Sequence, residues 1–195
     1  MLLTILILFG VAVLCYFGIQ HYLNYQWGKK PLRNFPFFYR GKEYWYSRAV
    51  AVTHFVFCKN LKNEWCLLAN ERGSGTPDYQ GYWNCPCGYL DFHENGEEAA
   101  QRETFEETGL YLKKENIKFW FVNTSPSANR QNVSILYYSI LDGCCEDFKL
   151  SSKGSEKNEV SNIKWIPISN KSDYKWAFNH SNRITEIYNS VITKN

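Results

Sequence analysis

The first nineteen residues, MLLTILILFGVAVLCYFGI, carry no charged side chain, and their apolar run is interrupted only by Thr4, Gly10, Gly18 and the amphipathic Tyr16. As a helix such a segment rises roughly 28 Å, at about 1.5 Å per residue, close to the ~30 Å hydrocarbon thickness of a bilayer. Aromatic residues gather at its end (Tyr16, Phe17, Tyr22, Tyr25 and Trp27), as at a membrane–water interface. Lys29, Lys30, Arg33, Arg40 and Lys42 follow, and no Lys or Arg precedes them, which by the positive-inside rule keeps the C-terminal bulk in the cytoplasm. A cleaved secretory signal fits less well, because there is no basic n-region and no A-x-A-like site. A lipoprotein-type site at Cys15 would want a small residue before it, and Leu14 is not small. A buried hydrophobic helix of a soluble domain is the remaining alternative. The pattern therefore predicts one transmembrane anchor over residues 1–23, followed by a basic and aromatic juxtamembrane linker over 24–45 that contains Pro31 and Pro36.

The remainder changes character. Arg48–Lys59 and Glu64–Glu71 are rich in β-branched and aromatic residues and read as strands joined by the polar turn at Asn60–Asn63. RGSGTPDYQG, from Arg72 to Gly81, is a loop by its composition. A helix is predicted over Gly96–Thr108, then strands over Ile117–Asn123, Val133–Leu141 and Ile163–Ile168. From Asn179 to Ile192 the spacing of Ile184, Ile187, Tyr188 and Val191 is helical. Strands mixed with a few helices indicate an α+β domain over residues 46–195.

Composition sharpens this picture only in part. Hydrophobic residues make up 45% and charged residues 21% of 195, which excludes disorder and collagen-like repeats. A net charge of +3 gives no electrostatic case for a nucleic-acid binder. The seven cysteines are an odd number at low density, which favours a reducing compartment. Four N-x-S/T tripeptides, at Asn123, Asn132, Asn170 and Asn179, would matter only on the lumenal side.

The informative stretch is GYLDFHENGEEAAQRETFEETGL, Gly88–Leu110. Asn95 with Glu98 three residues on is a capping-box arrangement, and Gly109 stands where a left-handed C′ residue is wanted. Between those ends Glu103, Glu106 and Glu107 fall within an arc of about 100°. Like charges so crowded repel one another, and a cation relieves that repulsion. Carboxylate oxygens suit Mg²⁺ or Mn²⁺ rather than a thiolate-preferring metal.

The same stretch resembles the signature of the Nudix hydrolases, G-x5-E-x7-R-E-U-x-E-E-x-G-U with U aliphatic. Its fixed positions fall on Gly88, Glu94, Arg102, Glu103, Glu106, Glu107 and Gly109, with Leu110 as the closing aliphatic. One position departs: Thr104 stands where Leu or Ile is usual, and its hydroxyl needs a partner such as the carbonyl one turn back. Trp83–Gly88, WNCPCG, is similar to the W-x-x-P-G-G entry to the box, with Cys87 in place of a glycine. WAFNHSNRITEIY, from Trp176 to Tyr188, is similar to the A-F-x-H segment that opens the last helix of many members.

The resemblance implies an α/β/α sandwich with a mixed β-sheet, and cleavage of a pyrophosphate bond in a nucleoside diphosphate linked to another group, with Mg²⁺ or Mn²⁺ as cofactor. It makes Glu103, Glu106 and Glu107 metal ligands, joined by the main-chain carbonyl of Gly88, and makes Glu94 and Arg102 a structural pair. The general base is Glu106, Glu107 or, from a later loop, Glu159. Arg72, Trp83 and Arg130 are candidate substrate contacts, with Trp120 and Phe55 as further stacking rings. His54 reads as a core or cleft residue and His180 as packing at a helix start. Cys85-Pro-Cys87 lacks the partner spacing of a zinc site. The expected partner is a small nucleotide-type substrate, ADP-ribose-like or a dinucleotide, together with a membrane through the N-terminal helix. No nucleic acid is expected, and a homodimer is compatible with the chain. Two rival readings are a Nudix-fold sensor that binds a nucleotide without hydrolysing it and an RNA 5′-end pyrophosphohydrolase.

Overall fold

The structure, a computed structural model, describes residues 10–19, 21–22, 34–127, 131–152 and 158–193, and the chain divides into two compact units at Ser47 and Arg48. In the first unit residues 10–19 are helical, with Leu14, Phe17 and Ile19 exposed. No helix among the described residues is long and apolar enough to cross a membrane, so the expected span finds no support there; residues 1–9 lie outside the described residues.

The expected linker is not wholly irregular. Strands β1 (Phe35–Tyr39) and β2 (Lys42–Tyr46) form an antiparallel hairpin that pairs Phe35 with Tyr46 and Tyr39 with Lys42. The turn residues Arg40 and Gly41 both have positive φ, 49° and 74°, the conformation a two-residue hairpin loop needs. The Pro and Lys/Arg content suggested a linker, but aromatic-rich runs on either side of an Arg-Gly turn pair as a hairpin.

The second unit is built on a mixed sheet in the order β5-β4-β3-β8-β7, with β6 also on β3 and β9 also on β4. Its strands are β3 (Ala49–Lys59), β4 (Trp65–Arg72), β5 (Trp83–Asn84), β6 (Cys87–Tyr89), β7 (Lys118–Asn123), β8 (Asn132–Cys144) and β9 (Val160–Pro167). Among the described strands of this sheet the β3–β8 pairing is parallel and the other pairings are antiparallel. β3 reads as a nearly unbroken apolar run because both of its faces are covered. Val52, Val56 and Cys58 pack with Ala99 and Ala100 of helix α1 (Gly96–Thr108). Phe55 and Phe57 pack with Ile184 and Ile187 of helix α2 (His180–Ile187). Helix, sheet and helix make the sandwich that the resemblance implied. After α2 the chain continues as a π-helical turn over Tyr188–Ile192, and this places Ile192 in the same core.

The ends of α1 fall where the sequence puts them. The Asn95 side chain accepts from the Glu98 amide at 3.0 Å, and the Glu98 carboxylate accepts from the Asn95 amide at 2.9 Å. Gly109 closes the helix at φ 72°, donating to Phe105 O. These two caps fix which residues α1 turns toward β6 and the loop before it.

Candidate active site

The face of α1 over β6 carries the acidic residues. Gly88 sits opposite Val52 in the β3–β6 pairing, and a Cβ there would overlap the Glu103 carboxylate. Only glycine lets that carboxylate lie against the strand. One turn on, Glu107 is buried and its Oε2 accepts from the Cys87 amide at 3.2 Å. Two carboxylates thus flank the Cys87–Gly88 backbone.

Arg102 organises the rest. Its Nε and Nη2 donate to the two oxygens of Glu94 at 2.9 and 2.6 Å, a bidentate pair. Its Nη1 donates to Glu103 Oε1 at 2.7 Å and to Glu106 Oε2 at 3.1 Å, and Nη2 also reaches Tyr89 O at 3.0 Å. The structural pair expected of Glu94 and Arg102 is present, and it extends to two of the three expected ligands. Arg102 hydrogen bonding holds Glu94 below the usual carboxylate range, with the Asp91 amide adding to it. The carboxylates in turn hold the Arg102 guanidinium above its ordinary value.

Burial works the other way on the carboxylates nearest the strand. It pushes Glu103 up to about 7 despite Arg102. It also raises Glu107 well above the ordinary range, helped by the charges of Glu103 and Glu159 and opposed by the Cys87 amide and Arg72. A cation among carboxylates desolvated and crowded in this way favours their ionised form and displaces their protons to solvent. The donors are hard oxygens in a cradle that glycine keeps open, and they suit a divalent ion such as Mg²⁺ or Mn²⁺. As the side chains stand, no three His, Cys, Asp or Glu groups among the described residues converge on one metal position. The reason is visible: Arg102 draws Glu106 and Glu103 toward itself, while Glu107 is turned to the Cys87 amide.

The other candidate residues divide sharply. Glu159 is half-buried and close enough for its charge to act on Glu107. Its carbonyl accepts from Gly73 N at 2.6 Å, and a Cβ on Gly73 would overlap Asn158 O, so glycine is required where the two loops meet. The Arg72 side chain is largely enclosed, pairs with Asp78 at 2.5 Å and lies 5.0 Å over the Phe178 ring. Trp83 is 6% exposed, with its ring edge-on to Tyr174 at 5.2 Å and Lys164 over it at 5.3 Å. Phe55 is fully buried, and Trp120 is half-buried and packs edge-on against it at 6.1 Å. Arg130 lies outside the described residues.

Two histidines resolve as structural. His180 accepts from the Cys85 amide at Nδ1, 3.1 Å away. His54 joins α1 to the sheet, with Nδ1 2.8 Å from Thr104 Oγ1 and Nε2 2.9 Å from Ser139 Oγ. Thr104 also reaches Ala100 O at 2.6 Å, the partner one turn back that its hydroxyl called for, and Ser139 reaches Asn116 O at 2.7 Å. Burial pulls both imidazoles down to about 3, so they are neutral. A neutral His54 donates from one ring nitrogen and accepts at the other, so one of the two hydroxyls turns toward the ring. The polar residue at the departing position of the box is therefore matched by a polar pair on β3 and β8, a link between residues 50 and 85 positions apart that no local pattern reveals. The seven cysteines are free thiols, and burial pushes the Cys85 and Cys87 thiols well up.

The NUDIX domain family matches residues 47–185, most of the chain. The chain belongs to the Nudix family. MutT4 of Mycobacterium tuberculosis is 26% identical over 126 residues, 62% of this chain and 47% of that protein, so the chain spans about half the length of this curated relative. The fold also recurs in solved Nudix structures. The NUDIX domain of Shewanella oneidensis NrtR, crystallised with ADP ribose, superposes with a TM-score of 0.60 at 19% identity, covering 74% of this chain and 88% of that one. A bifunctional NMN adenylyltransferase/ADP ribose pyrophosphatase from Francisella tularensis, with AMP and a Mn ion, gives 0.61 at 20% identity over 73% of this chain and 42% of that one. The Nudix motif read from the residues thus lies on a Nudix fold, with the box helix against β6.

Proposed function

We propose that this Nudix domain catalyses the Mg²⁺-dependent hydrolysis of a pyrophosphate bond in a nucleoside diphosphate linked to a second group, an ADP-ribose-like compound or a dinucleotide. The products are a nucleoside monophosphate and a second phosphorylated compound. The observation that carries this reading is the pair of desolvated carboxylates, Glu103 and Glu107, on either side of the Cys87–Gly88 backbone. Two structural relatives, one crystallised with ADP ribose and one an ADP ribose pyrophosphatase, support the substrate class.

Glu103, Glu106 and Glu107, with the Gly88 carbonyl, would hold the divalent ion, Mg²⁺ or Mn²⁺. An ion there supplies charge neutralisation to the diphosphate and acidifies the attacking water. The chain's own contribution is placement. Arg102 keeps Glu103 and Glu106 on one side of the cradle and ties both to Glu94. Glu159, on a loop pinned to Gly73, is our candidate to take the proton of the attacking water, ahead of Glu106 and Glu107. Arg72 would bear on the substrate phosphates, and Arg130 is a further candidate.

The purified chain of residues 1–195 tested with Mg²⁺ against ADP-ribose, dinucleotides and capped or triphosphorylated RNA decides between this reading and its rivals. Hydrolysis of the small substrates supports it. Turnover of the RNA alone favours a 5′-end pyrophosphohydrolase, and nucleotide binding without hydrolysis favours a sensor. Glu→Gln replacement at positions 106, 107 and 159 then separates base from ligand. Wild-type turnover in Glu159→Gln removes Glu159 as the base.

We further propose that residues 1–23 attach the chain to a membrane as a single span, with the hydrolase domain on the cytoplasmic side. The support is the uncharged run to residue 19 and the exposed apolar residues of helical segment 10–19. Resistance of the full chain to alkaline carbonate extraction, lost on deleting residues 1–28, is the expected result. Extraction of the intact chain contradicts the span.

A further inference from the structure

Of the rings that the sequence offered for stacking, Phe55 and Trp83 are buried in the core and Trp120 is half-buried against Phe55. A different pair of aromatic residues is exposed beside Arg72. Tyr79, in the loop between β4 and β5, and Phe178, just before α2, stand with ring centroids 5.0 Å apart and remain 44% and 42% exposed. Tyr82 meets Tyr79 edge-on at 5.6 Å, and His180 backs Phe178 at 5.4 Å.

Both residues are held in a conformation that bulky side chains rarely adopt. Their φ angles are 51° and 54°, in the left-handed region. The surrounding bonds account for the first. Arg72 Nε donates to Asp78 O at 3.1 Å, Thr76 Oγ1 to Gly73 O at 2.8 Å, and Gln80 Nε2 to Thr76 O at 2.8 Å, so Tyr79 is fixed from both sides. Phe178 lies one residue after Ala177, whose amide donates to Trp83 O at 2.8 Å, and two before His180, which is anchored to the Cys85 amide. Backbone strain of this kind persists where surrounding structure imposes it, and it clusters at ligand clamps. Here its result is that two rings from separate segments share one exposed surface.

Arg72 connects that surface to the carboxylates. Its guanidinium is 5.0 Å from the Phe178 ring centroid, and its charge reaches Glu107. A nucleotide presents the same sequence of chemistries: an aromatic base, then a ribose, then anionic phosphates. We propose that the exposed faces of Tyr79 and Phe178 are the platform on which the substrate's nucleobase stacks, with Arg72 between the platform and the acidic cradle. This inference rests on the reading of the domain as a nucleotide hydrolase. Stacking uses the π-face that every base has, so the platform confers tolerance among bases rather than selection of one.

The test is the metal-free binding of AMP and of ribose 5-phosphate to the full chain by calorimetry. The two ligands share the sugar and phosphate and differ in the base. Wild type should bind AMP at least about tenfold more tightly, the lower part of the range for base–aromatic stacking. Tyr79→Asn and Phe178→Asn remove the rings with a residue that tolerates positive φ. Each should cut AMP affinity about five- to tenfold while leaving ribose 5-phosphate unchanged, and Tyr79→Phe and Phe178→Tyr should retain the preference. Equal wild-type affinity for the two ligands overturns the proposal, and so does an unchanged preference in folded Asn variants. If those variants fail to fold, the wild-type ratio alone decides. The outcome is separable from the parent reading. An AMP preference without Mg²⁺-dependent turnover retains the platform and removes the hydrolase, and turnover without the preference does the reverse.

Discussion

The His54 imidazole and the Thr104 hydroxyl, 2.8 Å apart and both fully buried, join β3 to the helix that carries the acidic residues. Thr104 is the direct neighbour of Glu103, so this bond helps set the rotation of α1 over β6. Thr104→Val keeps the shape and leaves His54 Nδ1 without its partner. The variant should lose about 1–3 kcal/mol of stability, the cost of a buried unsatisfied polar group, as read by urea denaturation. Replacing His54 and Ser139 with apolar residues of similar volume in the same variant should recover part of that loss. A stable Thr104→Val single variant would show that the chain of bonds contributes little.

The two neutral histidines make stability depend on pH with a definite sign. Burial lowers each from 6.5 to about 3. Between those values the unfolded chain binds protons that the folded chain does not, so stability is full above about pH 6.5 and falls as pH drops toward 3. Raised Glu103, at about 7, acts in the opposite sense between its ordinary value and 7, so the histidine contribution must be isolated by substitution. Relative to His180→Gln, wild type should lose about 2 kcal/mol on going from pH 7.5 to pH 5, at about 1.4 kcal/mol per pH unit below 6.5. An identical wild-type–variant difference at the two pH values would contradict a buried neutral His180.

Gly88 predicts a loss of metal affinity from the smallest of changes. In Gly88→Ala the new methyl occupies the space of the Glu103 carboxylate. The strand cannot yield easily, because β6 is paired with β3, so the carboxylate must move. Mn²⁺ affinity should fall about tenfold or more, equivalent to about 1.4 kcal/mol, with the fold retained by circular dichroism. Unchanged Mn²⁺ affinity would place the ion elsewhere.

Arg102→Lys tests the pairing with Glu94. Lysine keeps the charge and loses the fork that serves both Glu94 oxygens together with Glu103 and Glu106. The expected cost is about 1–3 kcal/mol, since the group is partly enclosed and the bonds are charge-assisted. Thermal denaturation in EDTA measures it without the metal. A variant as stable as wild type would reduce the network to a surface ion pair.

Local signals were legible in the sequence wherever one segment contains the whole cause. Asn95, Glu98 and Gly109 announce the ends of α1 because caps are contacts within a few residues, and the Ala100 partner of Thr104 is one turn away. The burial of both faces of β3 is visible as a nearly unbroken apolar run, and the box places Glu94 and Arg102 together. What the sequence did not convey were relations between distant segments. Trp83 and Phe55 look like available rings, yet which face of a strand is covered depends on α2 and on Tyr174. The His54–Thr104–Ser139 bonds and the Tyr79–Phe178 contact join segments that only the sheet brings together. The β1–β2 hairpin was recoverable from Arg40-Gly41 between aromatic runs, but the prolines and basic residues pointed to a linker.

In the proposed reaction Glu103 and Glu107 on the Gly88 cradle would hold a divalent ion for chemistry on a diphosphate. The most direct measurement is the rate of ADP-ribose hydrolysis with and without Mg²⁺ in wild type, Glu103→Gln and Glu107→Gln, each verified as folded. Turnover that requires Mg²⁺ and falls at least about a hundredfold in both variants, about 2.7 kcal/mol of transition-state stabilisation, is the predicted result. Turnover that persists in EDTA, or that survives in both variants at the wild-type rate, would contradict it.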